Sequence, residues 1–134
     1  MKEKIKVLFA VDKKAKKSIL KGAPTLANII EGEVPDTYEF IFGFGEEDSI
    51  KQVDKLRPEI IFIGQNKSID ALGLLKKVKQ LHPLAVVFII LPNILDDEQE
   101  TIDEYMAAGA YKCFFSTIVH ETLLHDMYVA LNLE

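Results

Sequence analysis

Five short apolar blocks recur along the chain: KVLFAV at 6–11, YEFIFGF at 38–44, EIIFIG at 59–64, AVVFIIL at 85–91 and KCFF at 112–115. The third and fourth are unbroken runs rich in β-branched and aromatic residues, the pattern of parallel strands covered on both faces. Helix-period stretches lie between the blocks. Over 72–81, Leu74, Leu75 and Val78 share one face, with Lys76, Lys77 and Lys79 turned outward. Over 98–109, Ile102, Tyr105, Met106 and Gly109 repeat at helical spacing, and over 120–131 Leu124, Met127, Tyr128 and Leu131 do the same. Ile50, Val53 and Leu56 make a shorter stripe in 49–56. Gly22, Pro24 and Gly32 interrupt 13–35, where a helix is expected over 24–31 with Pro24 near its first turn.

Strands alternating with helices five times over predict an α/β fold, a doubly wound five-stranded parallel sheet with right-handed crossovers. No repeat, low-complexity tract or linker divides the 134 residues, so a single domain over 1–134 is expected.

Composition narrows the class. With 49% hydrophobic and 28% charged residues, the chain has the balance of a globular domain. Its longest apolar run, AVVFIILP at 85–92, falls well short of the roughly 20 residues that cross a membrane, and no membrane partner is expected. The start, MKEKIKVLFAVDKK, carries charges but no small-residue cleavage site, and it reads as a first strand, not a signal peptide. Cys113 is the only cysteine and has no internal disulfide partner, which suits the cytoplasm.

A net charge of −5 disfavours nucleic acid as a partner. The charge is also clustered. Lys13, Lys14, Lys16, Lys17 and Lys21 crowd one stretch, and Asp96, Asp97, Glu98, Glu100, Asp103 and Glu104 another. Both runs read first as solvated helix faces, and the acids stand at a helix start, where the macrodipole favours them. The sharper reading of the lysines is a docking patch for an acidic partner.

Four stretches together resemble a known family. KLRPEIIFIG is similar to a helix end, Pro-acid pair and third strand; IDALGLLKKVKQLHP to a third helix led by Met-Asp-Gly, with Ile69, Asp70 and Ala71 in place of that triplet. MAAGAYKCFFST resembles the Ala-Gly-Ala turn into a fifth strand, and YEFIFGFGEEDSI a second strand with the acidic start of the second helix. In this order they resemble the receiver domains of two-component response regulators, over the whole chain. The resemblance implies a (βα)5 flavodoxin-like fold with strand order 2-1-3-4-5.

Receivers take a phosphoryl group from a partner kinase onto an aspartate. That chemistry needs a carboxylate nucleophile ending the third strand. It needs a Mg²⁺ held by a carboxylate pair after the first strand, and a Lys and a hydroxyl that bind the phosphoryl oxygens. All of them belong at the carboxyl edge of the sheet, where doubly wound folds bind ligands.

Carried over residue by residue, the set is missing. The nucleophile position is Gly64, which has no side chain. The carboxylate pair falls on Val11 and Asp12; a one-residue slip would leave Asp12 beside Lys13 instead. The Lys position is Ser116, the hydroxyl position falls on Leu91 or nearby, and Cys113 takes the place of the aromatic switch on the fifth strand. The chain is therefore expected to be a pseudo-receiver: no enzyme, with no metal and no cofactor.

The remaining polar residues carry no catalytic pattern. His120 and His125 are five apart, not the i, i+4 spacing of a helical zinc pair, and with His82 they read as surface or rim residues. Cys113 reads as a small buried hydrophobe, GFG at 43–45 as a strand-exit turn, Asp70 as a cap of the third helix, and Ser116 and Thr117 as caps of the last.

Two functions fit. One is a phosphorylation-independent protein-interaction module in or near a phosphorelay. The resemblance places its contact, with a protein partner or a second copy in a homodimer, on the fourth helix, fifth strand and fifth helix, here parts of 97–107, 112–115 and 119–131. Tyr105, Met106, Phe114 or Phe115, Leu124 and Tyr128 would supply that face, unless they fill the core. The other is a small-molecule or anion-binding domain using the carboxyl-edge crevice, lined by Asp12, Gln65, Asn66, Lys67, Asn93, Ser116 and Thr117.

Overall fold

The computed structural model describes residues 5–12, 38–64, 69–91 and 98–115. Their elements are β1 (Ile5–Val11), β2 (Tyr38–Phe44), α1 (Gly45–Leu56), β3 (Ile60–Gly64), α2 (Ala71–Leu81), β4 (Val86–Leu91), α3 (Glu98–Ala107) and β5 (Lys112–Phe115). All pairings are parallel, and the strands lie in the order β2-β1-β3-β4-β5. The expected α/β sheet and its strand order are thus observed. The segments expected as helices at 24–31 and 120–131 lie outside the described residues.

Alternation along each strand sorts the side chains by type. Leu8, Ala10, Ile61, Ile63, Val87, Ile89 and Leu91 enter one core with Val53 of α1, Ala71, Leu74, Leu75 and Val78 of α2, and Tyr105 of α3. The opposite face is mostly aromatic, with Phe9, Phe62, Phe88 and Phe114 buried and Phe40 and Phe42 partly so. The rings form a ladder across the sheet. Phe9 stacks on Phe62 at 4.6 Å between centroids, Phe62 on Phe88 at 5.0 Å, and Phe114 follows at 5.4 Å. A parallel register that keeps Phe9, Phe62 and Phe88 level lets each ring cover its neighbour, and buries large apolar areas in offset contact.

The helices differ from the expected spans where close packing decides. Helix α1 starts at Gly45, not at 49, with Glu46, Glu47 and Asp48 in its first turn. The Asp48 carboxylate accepts the Phe44 N–H at 2.8 Å, satisfying a donor at the helix mouth. Buried Ser49 donates to the Gly45 carbonyl at 2.6 Å. Met106, expected on the inner stripe of α3, is 45% exposed, while Tyr105 is 5% exposed and in the core.

Lys79, expected to turn outward with Lys76 and Lys77, is half-buried, and its Nζ folds back to donate to the carbonyls of Pro83 at 2.8 Å and Ala85 at 2.9 Å. Its aliphatic stem runs over Gly109, where a Cβ would lie 3.2 Å from Lys79 Cε and where φ is +111°. The turn from α3 into β5 therefore favours glycine for its conformation, and a Cβ there would require the Lys79 stem to shift by a few tenths of an ångström.

Candidate functional site at the carboxyl edge

The parallel register brings the ends of the central strands together. Ala10 pairs with Ile63 and Gly64 with Ile90, so Val11, Gly64 and Leu91 end adjacent strands at one edge of the sheet, with Asp12 one residue beyond Val11. Three of the four expected positions, on the first, third and fourth strands, thus converge. Ser116, directly after Phe115, lies outside the described residues, as do 65–68, Asn93 and Thr117.

Convergence does not supply chemistry. Val11 packs against the aromatic face, and Leu91 is 2% exposed in the opposite core, so neither offers a polar group to the edge. Asp12 is half-buried and has a polar or electrostatic partner of its own. Gly64 is half-buried, and a Cβ built on it meets no atom of a described residue within 4 Å. Among the described residues, no neighbour imposes glycine at position 64 by crowding.

The described residues at these strand ends do not fit Mg²⁺ held for phosphoryl transfer. The ion wants near-octahedral oxygen ligands, including carboxylates, and Asp12 is the one carboxylate among the described residues at the ends of β1, β3 and β4. Among the described residues no group of three or more His, Cys, Asp or Glu side chains is arranged to hold a metal ion.

Asp70 is the N-cap of α2, as expected, yet its side chain makes no capping hydrogen bond. Its carboxylate Oδ2 lies 2.8 Å from where a Cβ of Gly73 would be. Burial pushes the Tyr105 hydroxyl above its ordinary pKa, and the charge of Asp70 adds to that rise. The Cys113 thiol is pushed up to about 11 by burial, which leaves it a poor nucleophile at neutral pH.

Of the expected partner face, Met106 is presented and Tyr105 is not, because Tyr105 fills the core between α3 and the sheet. Phe114 is likewise buried, and Phe115 ends β5 level with Leu91. Leu124 and Tyr128 lie outside the described residues. Tyr111, at the entry to β5 and 42% exposed, and Lys112, whose ammonium sits 5.3 Å above the Phe114 ring, stand where the apolar stripe had not pointed.

The five-stranded parallel sheet and its strand order match solved structures that superpose across nearly the whole chain. The fold is that of a response-regulator receiver domain. A CheY-like receiver domain protein from Methanospirillum hungatei superposes with a TM-score of 0.76 at 16% identity, covering 97% of this chain and 95% of that one. A two-component response regulator from Clostridium difficile gives 0.76 at 17% identity, with 96% and 97% covered. The receiver domain of NtrX from Brucella abortus gives 0.73 at 21% identity, with 96% and 99% covered. No family model and no curated protein matches the sequence. Among the described residues, no helix is long and apolar enough to cross a membrane.

Proposed function

We propose that this chain is a pseudo-receiver, a signalling module in or near a two-component phosphorelay that works through protein contacts without phosphorylation of an aspartate. The single observation that carries this reading is Gly64 at the end of β3, where a Cβ would meet no described residue within 4 Å, with Asp12 the one carboxylate among the described residues at the ends of β1, β3 and β4. A protein that keeps the sheet and discards the nucleophile retains surfaces and loses the switch. The contact face is the one flanking α3 and β5, where Met106 and Tyr111 supply exposed apolar area at 45% and 42%.

An amide chemical-shift map with Mg²⁺ and beryllofluoride, then acetyl phosphate, tests this. Silence at Asp12 and Gly64 is the expected result; shifts there at modest ligand concentration would overturn the reading.

The convergence of Val11, Gly64 and Leu91 at the carboxyl edge, with Asp12 one residue beyond, also favours a second function, binding of a small molecule or anion there. It predicts shifts at those amides with an anion alone, independent of Mg²⁺.

A further inference from the structure

Helices α2 and α3 lie side by side on one face of the sheet and carry opposite charge. Helix α2, ALGLLKKVKQL, holds Lys76, Lys77 and Lys79 and no acid. Helix α3, EQETIDEYMA, holds Glu98, Glu100, Asp103 and Glu104 and no base. Lys79 is spent on the Pro83 and Ala85 carbonyls, but Lys76 and Lys77 are exposed, and so are Glu100, Asp103 and Glu104.

Between the two rows runs a groove of about 350 Å³ lined by Leu72, Lys76, Glu104, Ala107 and Ala108. Its floor is apolar and small. Lys76 and Glu104 line it from opposite walls, yet among the described residues the ion pair recorded is Lys51 with Glu47 in α1, and none joins α2 to α3. The two rows are thus presented outward instead of neutralising each other.

We propose that this face is a self-association surface, and that its occupant is a second copy of this chain. A basic row beside an acidic row is complementary to itself. A two-fold axis along the groove sets α2 of each copy over α3 of the other, so that Lys76 and Lys77 face Glu100 and Glu104 twice over. The same operation brings Leu72, Ala107 and Ala108 of both copies to the centre, an apolar middle with a charged rim. A uniformly acidic or basic partner would be repelled by one of the two rows. The surface shares α3 with the expected partner face but lies on its α2 side, away from β5, and it is independent of the phosphoryl reading.

Charge reversal with a mixing arm tests this by sedimentation velocity on the full chain. The wild-type chain should dimerise at low ionic strength and dissociate as salt is raised, since exposed pairs are screened over roughly 10 Å at 0.1 M. Lys76→Glu/Lys77→Glu should weaken the dimer by at least roughly tenfold, and so should Glu100→Lys/Glu104→Lys. Mixed one to one, the two variants should dimerise again, because each reversed row then meets its complement. Rescue on mixing separates loss of complementarity from loss of fold, and the salt series needs no variant. A monomeric wild type at low salt, a salt-insensitive dimer, or a mixture that stays monomeric would each overturn the proposal. None of these outcomes depends on whether beryllofluoride binds, so this surface and the pseudo-receiver reading fail separately.

Discussion

Gly43 and Ser49 are in contact across the β2–α1 junction: a Cβ on Gly43 would lie 2.8 Å from Ser49 Cα, inside the distance at which one atom must give way. The neighbour is helix backbone, anchored by the Ser49 hydroxyl on the Gly45 carbonyl at 2.6 Å. The first turn of α1 is thereby seated on the end of β2.

Gly43→Ala should therefore destabilise the domain by about 1–3 kcal/mol, the usual cost of overpacking. Gly64→Ala should do the opposite. Its Cβ meets no described residue within 4 Å, and restricting the unfolded chain is worth roughly 0.5 kcal/mol. Urea midpoints at constant slope compare the two. Equal losses would show that Gly64 is also held by packing.

Lys79→Ala should cost about 1–2 kcal/mol, although the residue stands among lysines of an outward helix face. It removes a charged donor from two carbonyls and the stem that covers Gly109. Lys77→Ala, at an exposed position, should change stability by less than about 0.5 kcal/mol. The contrast between neighbours on one helix is the quantity to measure.

Stability should fall in alkali through Cys113 and Tyr105. Both are held protonated by burial, the thiol up to about 11 from an ordinary 9.0 and the phenol above its ordinary 10.0. A raised folded pKa contributes stability that is fully present below the unfolded value and is lost as pH rises through the folded one. The thiol contribution should therefore disappear between pH 9 and 11, and Cys113→Ala should flatten that part of the stability–pH curve. An unchanged curve would mean the thiol titrates as it does in the unfolded chain.

Asp70→Asn should lower the Tyr105 pKa, read from the ultraviolet phenolate signal, while leaving it above its ordinary value because burial remains the larger cause. The helix itself should hardly weaken. Losing an N-cap commonly costs about 1 kcal/mol, but the Asp70 side chain makes no capping bond to lose. A full cap penalty would show that the carboxylate caps α2 in solution.

Much of the scaffold was legible from pattern alone. Continuous apolar runs at 60–63 and 86–91 announced strands buried on both faces, and their burial follows. Helix faces were less legible. Met106 sits at stripe spacing yet faces outward, because α3 turns Ile102 and Tyr105 toward the core. Lys79 looked like its neighbours, because sequence spacing cannot show two carbonyls in the turn that follows. Ser49 carried no signal in the sequence, and it is 1% exposed because the helix it sits on is pressed against Gly43.

By itself the sequence determined the alternation of strands and helices, the absence of an acid at position 64 and the opposite charges of 71–81 and 98–107. Those are properties of residue identity and of short periods, which a chain carries before it folds. Only the tertiary structure decided that Val11, Gly64 and Leu91 share one edge, that no described residue crowds Gly64, and that the two charged rows flank one groove. Each of these depends on residues far apart in sequence being brought together by the parallel strand register and the packing of helices on the sheet, which no local spacing encodes.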